Sequence, residues 1–312
     1  MKNEADLNEV RTGSQALREY VNRHTNSTTI LAALGAVLDA RATGTPLPET
    51  IRARIDEVLD TLGVSGLTEG VSAADLRQML AEIRFNTLLD AKLLFDAARP
   101  PAWDHTETEL LQAGGEVSAG FAGALTHAIV PRLDGLSHQL SSPGGAFLDV
   151  GVGVAGLSIA MARLWPSLSV VGIDPWAPSI ALARENVRGA GLTDRIQLRE
   201  QAVEDLSDTD AFDLAWIPSA FVPGRVIQAA CEHVHRALRP GGWLLFATVN
   251  PGADPVTASL ARLRTALWGG GLMAPGQVET LLSQTGFVDV RTPASPPGAV
   301  AALTAARRMP NR

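Results

Sequence analysis

The feature that most constrains the fold is the alternation of short apolar runs with helix-like stretches over residues 146–308. Apolar runs that predict strands occur at 146–150, 168–173, 196–200, 211–216 and 243–248. The stretches 156–164, 177–189 and 226–238 between them have helical periodicity. Strands separated by helices predict a parallel sheet that is covered on both faces. A last helix over 275–286 precedes two runs, 288–291 and 300–305, with no helix between them, which suits an antiparallel pair.

The chain before this region has a different pattern. Residues 1–142 contain helical stripes, such as Ile51, Ile55 and Val58, and almost no strand signal. The stretch 141–145, Ser-Ser-Pro-Gly-Gly, is typical of a linker. We therefore predict an α/β fold with a doubly wound, mostly parallel seven-stranded sheet in residues 143–312. An all-helical N-terminal domain, residues 1–142, is expected to cap the site and to form a homodimer contact.

Charge and cysteine content exclude several classes of function. The net charge is -7, the only lysines are Lys2 and Lys92, and no Lys/Arg run is present, which argues against a nucleic-acid substrate. Cys231 is the only cysteine, so neither an intramolecular disulfide nor a cysteine-based metal site is expected. The acidic start, Met1–Val10, has no apolar core of a signal peptide, and no apolar run reaches membrane-spanning length. These features predict a cytoplasmic protein without a metal or a membrane contact.

A glycine-rich loop follows the first predicted strand and opens a helix. Gly151, Gly153 and Gly156 fit the pattern G-x-G-x-x-G, which lets the backbone turn tightly and lets a ligand approach closely. The helix that follows offers free N–H groups at its start. Asp174 ends the next strand, where a carboxylate can accept hydrogen bonds from ribose hydroxyls. Both features suit NAD as well as S-adenosylmethionine (SAM), so the glycines alone leave the cofactor open.

The residue in front of the glycines favours SAM. Asp149 stands where a dehydrogenase loop, with a pyrophosphate anion close by, usually keeps the strand end apolar. A carboxylate there suits a ligand with a cationic end, such as the amino group of a methionine moiety. An NAD(P)-dependent oxidoreductase of the common type also needs a catalytic Tyr-Lys pair, and the single tyrosine, Tyr20, has no lysine nearby.

Several stretches in order carry a family resemblance. They are FLDVGVGVAG, VVGIDPWAPSIALARENVRGAGLTDRIQLREQAVEDL, FDLAWIP, ALRPGGWLLF and APGQVETLLSQTGFVDVR. With them, residues 146–308 resemble the class I SAM-dependent methyltransferases, of the type that acts on small molecules. The resemblance implies SAM as cofactor, methyl transfer to an O, N or C atom of a metabolite, and a place in specialised metabolism. A non-catalytic SAM-binding protein is the alternative that keeps the loop and lacks an acceptor pocket.

The resemblance also implies a set of cofactor contacts. The methionine end of SAM would be held by Asp149, Gly151 and Gly153, and the ribose hydroxyls by Asp174. The adenine ring would lie against Trp176 and meet the backbone of Ala202 and Val203, and Pro218 would line the methyl-transfer face. The sequence departs from the family pattern at Ala155, where a third glycine is common, and at Ala202, where an adenine-binding Asp is common.

Other candidates lie near these motifs. His105, in the varied loop 103–107, is a candidate general base because its pKa is ordinarily near neutral, although a solvated loop residue is the simpler interpretation. Ser219 follows the fourth strand, at the edge of the sheet where ligands bind. In the family a segment before the first strand often closes over SAM, which implies that Gln112 and Ser118 contact its methionine end.

Overall fold

The computed structural model describes residues 13–252, 254–271, 273–294 and 299–310. The acidic start, Met1–Val10, on which the signal-peptide prediction rests, lies outside these residues. The described residues up to Thr87 form one compact unit, and those from Leu88 onward form a second. Residues 88–142, which we expected in the helical domain, thus belong to the same unit as the sheet. The physical reason is the packing of their main helix on the sheet unit, described below.

The first unit is helical. It contains α1 (Gly13–Thr43), α2 (Glu49–Thr61) and the beginning of α3 (Ala73–Phe95). Leu38, Leu76 and Leu80 form its small buried cluster. The first half of α1 is exposed, including Leu17 and Tyr20, so its apolar side chains have little core to join.

The second unit begins with helices and continues as alternating strands and helices. The helices are α4 (Thr108–Ala124), α5 (Leu136–Ser141), α6 (Gly156–Leu164), α7 (Ala177–Gly189), α8 (Ile227–Ala237), α9 (Pro255–Leu267) and α10 (Pro275–Gln284). The strands are β1 (Ala146–Val150), β2 (Ser169–Asp174), β3 (Ile196–Glu200), β4 (Phe212–Pro218), β5 (Leu238–Val249), β6 (Val288–Arg291) and β7 (Ala301–Arg307). A π-helical turn, Leu125–Ile129, and a 3₁₀ turn, Val130–Arg132, follow α4.

The seven strands form one sheet in the order β3-β2-β1-β4-β5-β7-β6. Strands β1 to β5 are parallel, and β7 runs antiparallel to both β5 and β6. The predicted doubly wound, mostly parallel seven-stranded sheet is therefore confirmed, including the antiparallel pair at its end. The order reverses between β1 and β4, which places a crevice beyond the carboxyl ends of these strands.

Both faces of the sheet are buried. Phe147 and Leu214 pack in one apolar cluster, while their neighbours Leu148 and Ala215 pack in another on the opposite face. This explains why the central strands are almost continuously apolar in sequence. Asp149 has the same parity as Phe147, so its carboxylate points into a covered face and not into solvent.

Helices α5 and α9 were not predicted. Helix α9 begins after Asp254, whose carboxylate accepts hydrogen bonds from the N–H groups of Val256 and Thr257. An Asp followed by Pro255 is a usual start for a helix, because the carboxylate caps free N–H groups and proline suits the first turn. The sequence signal was therefore present.

Among the described residues, no helix is long and apolar enough to cross a membrane. The same residues contain no group of three or more His, Cys, Asp or Glu side chains that could hold a metal ion.

Candidate functional site

The glycine loop leaves an open face at the carboxyl end of β1. Gly151 and Gly153 have φ values of 67° and 54°, which L-residues with a side chain rarely adopt. The N–H groups of Gly151 and Val152 donate to the carbonyl of Ile173 on β2, and this fixes the loop on the sheet. A Cβ on Gly153 would meet nothing closer than 4.0 Å, so the space beside it is free for a ligand. A Cβ on Gly151 would lie 3.5 Å from Pro218, which brings the end of β4 to the same place.

Gly156, the third glycine of the pattern, allows close packing of two backbones rather than space for a ligand. A Cβ on Gly156 would lie 1.9 Å from the carbonyl oxygen of Gly115 in α4, so only glycine lets the two backbones approach. Gly115 is equally constrained, because its Cβ would lie 2.2 Å from Val154. This contact joins α4 to the start of α6 and explains why residues 108–124 belong to the sheet unit.

Ala155 adopts a left-handed conformation at the start of α6, with φ 68° and ψ 23°. This backbone is unfavourable for any residue with a Cβ. The family's usual glycine at this position would adopt it without strain. The structure thus shows a physical cost of alanine at this position.

Asp149 lies at the end of β1 and is 2% exposed. Its carboxylate accepts a hydrogen bond from the Ser158 hydroxyl at 2.6 Å and another from the Ser158 backbone N–H in the first turn of α6. Burial raises the pKa of Asp149 to about 7, the Ser158 hydrogen bonds oppose the rise, and the nearby charge of Asp174 adds to it. The helix start alone does not offset the cost of burying this charge.

Asp174 ends β2 and is also buried. One carboxylate oxygen accepts the N–H of Gly153 at 3.0 Å, and the other accepts the N–H of Trp176 at 2.8 Å. Burial raises the pKa of Asp174 above its ordinary value, and these two hydrogen bonds oppose the rise. Asp174 therefore ties the glycine loop to the loop that follows β2.

The two carboxylates share an unusual environment. Within residues 13–252 and the other described ranges, neither Asp149 nor Asp174 forms an ion pair with a Lys, Arg or His side chain. Buried carboxylates are ordinarily paired with a cation, because an isolated buried charge is costly. A buried, cation-free Asp149 beside the glycine loop is suited to a positively charged ligand and unsuited to a pyrophosphate, whereas Asp174 is suited to the ribose hydroxyls of either cofactor.

The segment 103–107 contacts the ends of two strands at this edge of the sheet. The Trp176 indole N–H, after β2, donates to the carbonyl of His105 at 2.6 Å. Trp103 packs edge-on against Phe221, after β4, with 4.6 Å between ring centroids. Phe221 in turn stacks on Trp268, which follows α9. The predicted contact of Trp176 with an adenine ring remains a prediction.

The His105 side chain is buried, 5% exposed, and is held by Arg99. The Arg99 Nη1 lies 3.2 Å from Nδ1 of His105, and since a guanidinium only donates, Nδ1 accepts and Nε2 carries the proton. Burial and the charge of Arg99 lower the pKa of His105, while Glu107 and Asp104 act in the opposite direction. His105 is therefore a neutral hydrogen-bond donor at Nε2, and a role as base would require the Arg99 contact to break.

Asn186, which the sequence analysis did not single out, links Gln112 to the glycine loop. Gln112 and Asn186 exchange amide hydrogen bonds at 3.2 and 3.0 Å, and Asn186 also donates to the carbonyl of Val154 at 2.9 Å. Asn186 carried no recognisable signal, because an Asn within a helix is usually a surface residue. The Ser118 hydroxyl donates to the carbonyl of Gly114 one turn earlier in its own helix.

The remaining predicted residues lie after β3 and β4. Ala202 and Val203 begin the 3₁₀ turn after β3, and the nearby acids Glu204 and Asp205 are exposed. The Ser219 hydroxyl is buried and donates to the carbonyl of Ala247 on β5 at 2.8 Å. In this structure Ser219 thus ties β4 to β5. Its catalytic role and the adenine contacts remain predictions.

Comparison with known proteins finds methyltransferases among similar sequences and structures. Residues 147–242 match a family model described as a methyltransferase domain. The ubiquinone biosynthesis O-methyltransferase of Paracidovorax citrulli is 36% identical over 137 residues, which are 41% of this chain and 53% of that protein. The release factor glutamine methyltransferase of Geobacter sulfurreducens is 30% identical over 164 residues, which are 49% of this chain and 55% of that protein. The chain thus spans about half the length of these curated relatives.

The fold similarity extends further than the sequence similarity. The structure of human N-acetylserotonin methyltransferase in complex with SAM has a TM-score of 0.56 to this chain at 16% identity. The alignment covers 96% of this chain and 99% of that protein, and it includes helices before the sheet. The matched domain, the strand order and this structural similarity together show that the chain has the class I methyltransferase fold, with a helical N-terminal region.

Proposed function

We propose that this chain binds SAM at the glycine loop and transfers its methyl group to a small-molecule acceptor. The observation that carries the proposal is the pair of buried carboxylates, Asp149 and Asp174, which lack a cationic partner in the described part of the chain. SAM has a sulfonium and an ammonium group, whereas NAD brings a pyrophosphate. The open face at Gly153 supplies the room that such a ligand needs.

The proposed roles follow the geometry. Asp149 lies behind Gly151 and Gly153 and attracts the ammonium end of the methionine moiety. Asp174 hydrogen-bonds the ribose hydroxyls with the lone pairs that its two N–H partners leave unused. Trp176 flanks the adenine, which also meets the backbone of Ala202 and Val203. Pro218 lies beside Gly151 and borders the methyl-transfer face.

Two residues of α4 also support the cofactor site in this proposal. Gln112 holds the loop carbonyl of Val154 through Asn186, and it supports the cofactor site in that way. Ser118 lies on the same helix, which packs on the loop through Gly115, and its side chain contacts the methionine end in this proposal.

The chemistry requires little more than positioning. Bound SAM would supply an activated methyl group. The acceptor atom would bond to the methyl carbon as the carbon–sulfur bond breaks and S-adenosylhomocysteine leaves, which requires nucleophile, methyl and sulfur to be aligned. Ser219 is engaged by Ala247, and the Nδ1 atom of His105 is engaged by Arg99. In this proposal catalysis depends mainly on alignment of the acceptor. Proton removal is secondary, and His105 and Ser219 are the candidate residues for it.

Calorimetry of the full chain with S-adenosylhomocysteine, the demethylated product, tests cofactor binding. We expect it to bind with micromolar affinity and NADH not to bind. Clear NADH binding without S-adenosylhomocysteine binding would overturn the proposal. Incubation with SAM and a metabolite extract, followed by mass spectrometry, tests transfer, because a product must gain the mass of one methyl group. Cofactor binding without any such gain would instead favour a non-catalytic SAM-binding protein.

The N-terminal helices support a homodimer as part of the proposal. Leu17, Tyr20, Val21 and Leu31 recur at helical spacing along α1 and are all more than 40% exposed. A second copy of the same stripe is a partner of matching chemistry, since two such faces bury each other around a two-fold axis. Light scattering should give twice the chain mass, and Leu17→Glu with Tyr20→Glu should give a monomer. We also propose a cytoplasmic location, which suits a chain with one free, buried cysteine.

A further inference from the structure

A small cavity of about 50 Å³ lies in the second unit, beside the aromatic residues at the edge of the sheet. It is lined by the end of α3, by the segment from Arg99 to His105 and by the end of α9 with Trp268. Since a water molecule occupies about 30 Å³ in the liquid, the cavity has room for a group the size of a carboxylate rather than for a whole metabolite.

The cavity is connected to the proposed transfer site through His105. His105 lines the cavity, and its carbonyl accepts the indole N–H of Trp176 next to Asp174. Trp268 lines the cavity and stacks on Phe221, which follows β4, with 4.9 Å between ring centroids. A ligand that occupies the cavity therefore lies at the carboxyl edge of the sheet, where an acceptor must approach.

The charged residues of the lining differ in how they are neutralised. Lys92 is paired with Glu107, and Arg99 is paired with Asp104. Asp90 and Asp96 are exposed at the rim, where solvent screens their charge. Arg264 on α9 is half-buried, and its guanidinium forms no ion pair or hydrogen bond among the described contacts. It is the lining cation that a ligand can engage without breaking an existing pair.

The groups in the cavity select one ligand chemistry. Arg264 offers a planar set of donors that matches a carboxylate, and it is partly buried at the cavity. His105 adds a neutral donor at Nε2, and Trp268 adds an aromatic face. We propose that this cavity holds the anionic end of the acceptor, and that the acceptor is an aryl carboxylate whose ring lies against Trp268. This inference rests on the proposed function and names its substrate class.

Binding of matched probes to the full chain tests the inference. The probes are 4-hydroxybenzoate, which is anionic, and methyl 4-hydroxybenzoate and 4-hydroxybenzyl alcohol, which are neutral. Calorimetry is performed with saturating S-adenosylhomocysteine. Because a charge-assisted hydrogen bond outweighs a neutral one, we expect 4-hydroxybenzoate to bind about tenfold more tightly than either neutral probe. Arg264→Met should remove this preference, and Arg264→Lys should keep part of it.

Arg262→Met is the matched control, because Arg262 lies on the same helix but is exposed and bonds only to Ser259. It should leave the preference unchanged. Equal binding of charged and neutral probes by the unmodified chain, an unchanged preference in Arg264→Met, or no binding of 4-hydroxybenzoate at millimolar concentration would each overturn the inference. Binding of S-adenosylhomocysteine to every variant separates this failure from a failure of the proposed function.

Discussion

Two ends of the same sheet bury aspartates in opposite ways. At the amino end of β4, Asp213 accepts hydrogen bonds from the Arg239 guanidinium at 2.6 Å and from the Ala146 N–H at 2.9 Å. At the carboxyl ends of β1 and β2, Asp149 and Asp174 are as deeply buried and receive only hydroxyl and backbone donors. Residue type and burial are therefore the same at both ends, and the partners alone differ.

The difference separates a carboxylate that has a counterion in the protein from two that have none among the described residues. The protein itself supplies the counterion of Asp213, so that end of the sheet needs no charge from a ligand. At the carboxyl end the two carboxyl groups have no counterion among the described residues, and burial raises the pKa of both above their ordinary values. Because such an arrangement costs stability, it is expected where a ligand supplies the missing positive charge.

The largest expected effect is the loss of cofactor binding in Asp174→Ala. Each hydrogen bond to a charged group contributes about 1.5–3 kcal/mol, so loss of two ribose contacts should lower affinity for S-adenosylhomocysteine about 100-fold. Calorimetry measures this, and circular dichroism checks that the variant folds. If Asp174→Ala binds as tightly as the unmodified chain, the two ends of the sheet do not differ in the way described.

The complementary change is Asp213→Asn. It leaves Arg239 without its counterion, and since Arg239 is 38% exposed, we expect a loss of about 2 kcal/mol in the free energy of unfolding, below the value for a fully buried pair. Affinity for S-adenosylhomocysteine should be unchanged. Urea denaturation and calorimetry together test this, and a large loss of affinity with unchanged stability would reverse the assignment of roles.

The pH dependence of stability should distinguish Asp149 from an ordinary carboxyl. Its folded-state pKa is raised to about 7, so its contribution to stability is full below the unfolded pKa near 3.8 and is lost as the pH rises toward 7. Compared with Asp149→Asn, the unmodified chain should lose stability between about pH 4 and pH 7, by at most about 1.4 kcal/mol per pH unit, and then level off.

Urea denaturation of both proteins across this range makes the comparison. A constant difference between them would contradict the raised pKa. Binding of a cationic ligand near Asp149 should lower that pKa again, so SAM binding near neutral pH should release a proton. Calorimetry in buffers of different ionisation enthalpy detects such a release.

The smallest effect concerns the strained residue in the loop. Ala155→Gly relieves the left-handed backbone, which costs about 1 kcal/mol for a residue with a Cβ, but it also removes a buried methyl group. We expect a net gain of no more than about 1 kcal/mol in the free energy of unfolding. Gly156→Ala is the contrasting control, because its Cβ would overlap the carbonyl of Gly115 and should destabilise the chain strongly. A stabilised Gly156→Ala would refute the close backbone contact.

The sequence predicted the limits of several strands and helices correctly. β1, α6, α7, β3 and β6 have the predicted limits, because their apolar periodicity is regular and glycines or prolines mark their ends. Helix α9 was missed although Asp254 and Pro255 signal its start. Residues 88–142 were assigned to the helical domain, because helical periodicity alone does not say which unit a helix packs on.

The sequence by itself determined the sheet, the glycine loop and the presence of carboxylates at the two strand ends, because these follow from local periodicity and from residue type. Only the tertiary structure decided which glycines border open space, since Gly156 serves the contact with Gly115. It also decided that Asp149 and Asp174 have no counterion in the described part of the chain while Asp213 has one, and that Asn186 supports the loop. Partners distant in sequence determine these properties, and periodicity carries no information about which distant residues meet.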